Sequence, residues 1–332
     1  MTMYFGFTTD QIQLRRGLRE LLVEICPPTA VRAAWSESSS PVPQLWEQLG
    51  AVGLLGLLAP AEVGGMNASE VELVLLLEEC GRFAVPGPLG EHIAAAVPAL
   101  AAAAAPEAAA AVTGELVVAV QEPNYDRVRW ITTADLLVHP GHAGLEVTAR
   151  ADLDITMATP SVDLSITSAI VTPVRRRPLP GSDAALAGRR ATLAAAAQLL
   201  GLADRMITMT SEYVRARTQF GVPIGSQQSV KHLLAAALVS LGHARPVVYR
   251  AGWVLAAKAA DPDVAISFAK IYATRAANLA ARTALQCHGA IGYTWEHDLH
   301  LWMKRVWALS TAWGITAAHE SVVASAVLDV CK

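Results

Sequence analysis

Six residues, Ala195, Leu199, Leu202, Met206, Met209 and Tyr213, recur at spacings of 4, 3, 4, 3 and 4. That alternation lays one apolar stripe along a helix and constrains the fold more than any other feature of the sequence. The helix it predicts runs from about Ala184 to Arg217 and ends at Gly221 and Pro223, with Ser226 expected to cap the next one. That second helix is expected to reach about Lys258, with a kink at Pro246. Asp261-Pro262-Asp263 opens a third, to about His288; a shorter one spans about His297 to Trp307, and a last one follows Gly314. Long helices in succession with short connections predict an antiparallel bundle.

Upstream the chain changes character twice. Residues 8 to about 110 read as helical. Thr8 or Thr9 can cap a first helix that stops at Pro27-Pro28, a second runs from about Pro43 to Ala51, and Ser69 with Glu72 forms a capping box before the helix Glu70 to Cys80. From Glu115 to Thr172 the chain carries short apolar runs (Leu116 to Val120, Trp130 to Thr132, Leu136 to Val138, Leu145 to Thr148, Ile166 to Val171) separated by turn residues, which predicts a small β domain. Pro178 to Gly181 then breaks the chain. The expected architecture is mainly α with a small β domain: a helical domain over 1–113, a β domain over 114–180 and a helical bundle over 181–332.

Composition narrows the function. A net charge of -3 gives no reason to expect nucleic acid or an anionic membrane as a partner. The 53% hydrophobic content is inflated by alanine; the run from Ile93 to Pro106 is mostly alanine, broken by Pro98, and does not read as a membrane span. Met1 to Asp10 has no signal-peptide pattern. Cys26, Cys80, Cys287 and Cys331 are too dispersed for a disulfide framework, so buried free thiols in a reducing cytoplasm are expected. No His/Cys/carboxylate group has metal-ligand spacing.

The stretch Arg217-Thr218-Gln219-Phe220-Gly221-Val222-Pro223-Ile224-Gly225 packs a cation, an aromatic ring and turn-making residues between two long helices. About 70 residues on stands Gln286-Cys287-His288-Gly289-Ala290-Ile291-Gly292-Tyr293. With these two motifs and the helix–strand–helix order, essentially the whole chain resembles the acyl-CoA dehydrogenase family, and Gln121-Glu122-Pro123 looks like a worn form of that family's Thr-Glu-Pro strand. The resemblance implies an FAD cofactor. A planar guanidinium such as Arg217 can hold a pyrophosphate through paired hydrogen bonds. Phe220, expected one helical turn on, can present a ring to the flavin. Gln286 can hydrogen-bond the cofactor, and Gly289 lets backbone N–H groups approach a phosphate. In the family these residues reach a flavin held by the neighbouring subunit. Read without the family, Arg217 is a helix-terminal cation and Phe220 a core residue.

The family's reaction removes a proton next to a thioester and needs a carboxylate there. Its glutamate stands at one of two sites, and here these are Trp313 and Leu186, neither of which takes a proton. Asp183 is the nearest substitute, and reads first as a helix N-cap. Glu296 and Asp298 read as solvated carboxylates of a helix's first turn, His288 and His297 as structural. The β domain is also about half the family's length. Such a chain resembles the subunit without catalytic Glu in actinobacterial α2β2 acyl-CoA dehydrogenases of steroid side chains. That implies a longer partner carrying the Glu and most of the acyl-CoA site, with FAD shared between the two. Two further readings stand beside it: a self-sufficient homomer using Asp183 as base, and a helical assembly subunit that binds no flavin.

Overall fold

The computed structural model describes residues 6–36, 42–142 and 144–330. Residues 1–5 of the N-terminal stretch and Cys331 lie outside these. Helix α1 (Thr9–Ile25) starts at Thr8, whose hydroxyl and backbone N–H both pair with Gln11 in a capping box. Pro27-Pro28 ends it, yet the chain re-enters a helix at once as α2 (Pro28–Ala33), because proline is tolerated in a first turn that lacks intrahelical N–H partners. Helices α3 (Val42–Ala51) and α4 (Glu70–Arg82) follow, the latter opened by the Ser69–Glu72 box. A continuous helical stretch then runs through α5 (Leu89–Glu91), a π-turn at His92–Ala96 and α6 (Val97–Ala102), and α7 (Ala108–Thr113) ends at Gly114.

Two small sheets come next. Strands β1 (Val118–Val120), β2 (Arg127–Arg129), β3 (Leu136–Gly141), β4 (Gly144–Ala149), β5 (Leu153–Pro160), β6 (Thr167–Pro173) and β7 (Arg177–Leu179) pair in the orders β1-β3-β4-β7 and β2-β6-β5. The sequence reading misses β5 and β7, both edge strands. β5 is mostly exposed and lacks apolar alternation, and β7 carries Pro178, which an edge accepts. It also sets one strand too late: Trp130 has a positive φ of 65° and turns the chain after β2 instead of continuing a strand to Thr132.

The bundle consists of α8 (Ala184–Ala216), β8 (Thr218–Gln219) and β9 (Val222–Pro223) as a short hairpin, α9 (Gln228–Ala256), α10 (Pro262–His288), α11 (Leu299–Thr311) and α12 (Thr316–Val330). Ala195, Leu199, Leu202 and Met206 of the stripe are buried, Met209 and Tyr213 half-buried. Pro246 lies within α9. One hydrophobic core joins the bundle to the N-terminal helices, because α4 packs directly on α8. The approach is close enough that a Cβ on Gly81 would stand 2.1 Å from the Gln198 carbonyl oxygen, and one on Gly201 1.8 Å from that of Glu78. A second small core lies between the two sheets, with Ala119 and Leu137 of one packed with Val128 and Ala169 of the other. Cys26, Cys80 and Cys287 are buried free thiols. Among the described residues no helix is long and apolar enough to cross a membrane.

Candidate functional site

The end of α8 and the end of α10 meet. The Tyr213 ring stacks on His288, centroids 4.3 Å apart at 20°, and its hydroxyl donates to the His288 carbonyl at 3.5 Å. One turn beyond Tyr213 the helix stops: the Arg217 N–H donates to the Tyr213 carbonyl, and the Ile224 N–H to that of Arg217, closing the β8–β9 hairpin. Phe220 and Gly221 form its two-residue tip with φ of 52° and 80°, the left-handed pair that tight hairpins require. Phe220 therefore does not sit a helical turn beyond Arg217, as the sequence suggests, but at a hairpin tip, where it is 97% exposed. Nor is it a core residue. Arg217 is exposed and makes no ion pair among the described residues.

Phe220 and Gln286 line one open groove of about 520 Å³, with Gln219, Gln227, Ser229 and Cys287. The start of α9 forms part of its wall. Ser226 does not cap this helix; its hydroxyl donates to the Pro223 carbonyl at 2.7 Å, and the N-cap residue is Gln227 with no side-chain cap bond. The first intrahelical bond is that of the Lys231 N–H, so the preceding N–H groups and the positive end of a 29-residue helix are directed toward the groove. This feature was invisible in the sequence, where Ser226 reads as the cap. Gly289 follows α10 with φ 64° and ψ -139°, and a Cβ there would meet no atom of this chain within 4 Å. Glycine is required by the backbone, and the space beside it is open.

The groove brings together an uncapped helix start, the Gln286 amide and the exposed Phe220 ring, a set that fits the diphosphate end of a dinucleotide, while Arg217 and Gly289 do not line it. Nothing in this groove fits proton abstraction. Of the nearby titratable groups, His288 is held below its usual pKa mainly by burial and bonds the Ala284 carbonyl through Nδ1. His297, likewise lowered by burial, accepts from the Leu299 N–H. Asp298, with a side chain 36% exposed, pairs with Arg32 at 2.6 Å, and Glu296 is solvated. Among the described residues no group of three His, Cys, Asp or Glu could hold a metal.

Leu186 and Trp313, where the sequence resemblance leads one to expect a glutamate, lie elsewhere. Leu186 sits in the first turn of α8, where its N–H donates to the Asp183 carboxylate at 2.9 Å; Asp183 is the N-cap. That cap is about 50 Å from Arg217 along the 33-residue helix. Trp313 is 7% exposed with φ 56°, in the turn between α11 and α12. The turn is held by Glu122, whose two carboxylate oxygens accept the N–H groups of Trp313 and Gly314 at 2.8 and 2.9 Å. Arg129 donates to Glu122 at 3.1 Å, and His319 pairs with both the Trp313 carbonyl and Ser267. Beneath lies Lys270, fully buried, donating to the Leu309 carbonyl at 2.6 Å; burial, aided by Arg129, pushes its pKa down to about 7. Sequence reasoning noted Glu122 as part of a worn motif, but apart from Arg129 on β2 its partners come from the α11–α12 turn, about 190 residues on. Ser267, beside this turn, and Gln286, in the groove, are about 28 Å apart along α10. In a single chain the groove and the Trp313 turn are at opposite ends of the bundle.

Family models described as the acyl-CoA dehydrogenase N-terminal and C-terminal domains match residues 8–117 and 183–328. The chain is 34% identical over 300 residues to the acyl-CoA dehydrogenase IpdE2 of Mycobacterium tuberculosis, covering 89% of this chain and 90% of that protein. To IpdE2 of Mycolicibacterium smegmatis it is 32% identical over 294 residues, covering 88% and 90%. Its fold superposes on a chain of the ChsE4-ChsE5 complex from Mycobacterium tuberculosis with a TM-score of 0.86 at 22% identity, covering 98% of this chain and 99% of that one. On a chain of the Tcur3481-Tcur3483 steroid ACAD the score is 0.84 at 23% identity, covering 97% and 98%. The chain belongs to the acyl-CoA dehydrogenase family of FAD-dependent oxidoreductases.

Proposed function

We propose that this chain is the subunit without catalytic Glu in a heteromeric FAD-dependent acyl-CoA dehydrogenase. Arg217, Phe220, Gln286 and Gly289 grip the pyrophosphate and adenine end of an FAD bound across the subunit interface. A longer partner, in an α2β2 assembly, supplies the glutamate and most of the acyl-CoA pocket. FAD supplies hydride acceptance; this chain's residues bind and orient it. The uncapped start of α9 and the Arg217 guanidinium offset phosphate charge, and Phe220 covers an apolar face of what docks there.

The observation that carries this reading is the separation of the groove from the Trp313 turn within one chain. The cofactor-binding motifs are exposed at one end of the bundle, while the position for a base, at the other, holds an indole that cannot take a proton. Two similar folds come from pairs of differently named chains, ChsE4-ChsE5 and Tcur3481-Tcur3483, and the latter is a steroid ACAD. These likenesses support a heteromer and a steroid side-chain CoA thioester as the substrate class. Asp183 as the base of a self-sufficient homomer is not favoured, since its carboxylate already caps α8.

Co-expression with the partner should yield one FAD per pair of unlike chains. Arg217→Ala should lose most of the flavin from the complex while both chains stay associated, read by the visible absorbance of the purified assembly. Unchanged flavin content in that variant, or a full complement of flavin with turnover in the isolated chain, would refute the assignment.

A further inference from the structure

A cleft of about 360 Å³ opens between α1, α4, α8 and α11, lined by residues other than those of the groove at Phe220. That is enough room for a small organic molecule. Its walls are of two kinds. Arg19, Arg82 and Arg205 project guanidinium groups into it, and Val23, Phe83 and Trp302 give it apolar faces. The Trp302 indole is fixed, its N–H donating to the Arg82 carbonyl at 2.9 Å.

The charges around this cleft do not balance. Three carboxylates serve the region, and each is already shared by two arginines. Glu79 takes Arg15 and Arg19, Asp204 takes Arg82 and Arg245, and Glu78 takes Arg15 and Arg245. Glu78 also accepts from the Tyr249 hydroxyl at 2.5 Å. Arg205 is left over: half-buried, its guanidinium 5.8 Å from the Trp302 ring centroid, with no hydrogen bond or ion pair among the described residues. Arg82, paired with Asp204, is held below the ordinary arginine value mainly by burial, with the nearby Arg19, Arg205 and Arg245 acting in the same direction and Glu79 in the other. A half-buried guanidinium without a carboxylate, on an apolar floor, is an unfilled demand for an anion.

We propose that this cleft binds an amphipathic organic anion, with its carboxylate on Arg205 and a flat apolar body against Trp302 and Phe83. The buried Cys26 thiol at the cleft, pushed up to about 12 by burial, takes no covalent part. The site is separate from the groove at Phe220 and does not depend on flavin binding there.

The test titrates 1-naphthoate into the full-length chain with its co-expressed partner, by calorimetry. Saturable binding is expected. It should weaken about tenfold or more in Arg205→Gln, as loss of a charge-assisted pair implies, and less in Arg205→Lys. The neutral isostere 1-naphthamide should bind the wild type at least about tenfold more weakly than 1-naphthoate on the same grounds, which keeps the comparison decisive even if Arg205→Gln folds poorly. No saturable heat at millimolar ligand, equal affinity for 1-naphthamide, or an Arg205→Gln chain that folds and binds unchanged would overturn the proposal. Inorganic phosphate binding as tightly as 1-naphthoate would overturn the apolar half of it.

Discussion

At the scale of single residues, Glu122 and Trp313 decide what the turn between α11 and α12 can do. Trp313, where the resemblance to the family leads one to expect the base, is a buried indole, and Glu122 uses both oxygens to hold the backbone on which that indole stands. The carboxylate near this position is thus a structural acceptor, already paired with Arg129 and two N–H groups. Glu122→Gln would turn an amide NH₂ toward an N–H donor and remove the nearer of the two carboxylates that face Arg129, leaving only Glu91 at 3.6 Å. Breaking such a buried pair costs about 3 kcal/mol. Urea unfolding should register that loss, and a variant as stable as the wild type would remove Glu122 from this role. Flavin content of the complex should be far less affected, because the groove is at the other end of α10.

At the scale of elements, the π-turn between α5 and α6 ties the N-terminal helices to the first sheet through one side chain. His92 is fully buried; its Nε2 faces the Ala111 carbonyl at 2.9 Å, and its Nδ1 accepts the Val118 N–H at 3.1 Å. These partners fix the neutral tautomer protonated on Nε2. Burial holds the imidazole down at about 4, from an ordinary value of 6.5, against the raising effect of its two backbone bonds. Between those values the unfolded chain takes up a proton that the folded chain refuses. Its contribution to stability is therefore present above about pH 6.5 and is lost as pH falls toward about 4. The urea midpoint should fall across this window in the wild type. His92→Leu should lose this component of the slope while costing about 2 kcal/mol at neutral pH, for two buried backbone groups left unpaired. An identical pH slope in both proteins would exclude His92 as its source.

At the scale of the whole molecule, the N-terminal helices and the bundle are not independent. Helix α4 lies against α8 with Gly81 and Gly201 each abutting backbone of the other helix, and one core runs through both. Gly201→Ala would force a methyl into the Glu78 carbonyl and separate the helices, an overpacking cost of about 3 kcal/mol. Circular dichroism should show a lower midpoint with the helical signal still lost in one transition. A two-step melt would mean that the two parts fold separately. The proposed function puts cofactor binding at the same scale: on that reading, flavin uptake is expected from the assembly and not from the chain alone.

Much of this was legible in the sequence. Periodicity marked the helices from Ala184 onward because a stripe buried on one side leaves a 3.6-residue trace, and capping chemistry marked Thr8, Ser69 and Asp183. The residues proposed to hold a diphosphate stood out because few residue types can do so, and Trp313 and Leu186 because neither can carry a proton. Other features depended on distant partners. The edge strands β5 and β7 are held by pairing and not by burial, so they leave no alternation to read. Phe220 was expected along a helix, but the positive φ at two successive residues folded it onto a hairpin tip. The Glu122 clamp, the uncapped start of α9 and the arginine excess around Trp302 exist only where far segments meet. The sequence by itself determined that the motif residues are present and that neither Trp313 nor Leu186 can take a proton, since those depend on residue type alone. Only the tertiary structure decided that the groove and the Trp313 turn stand at opposite ends of the bundle, because that separation is set by the length and packing of α8 and α10.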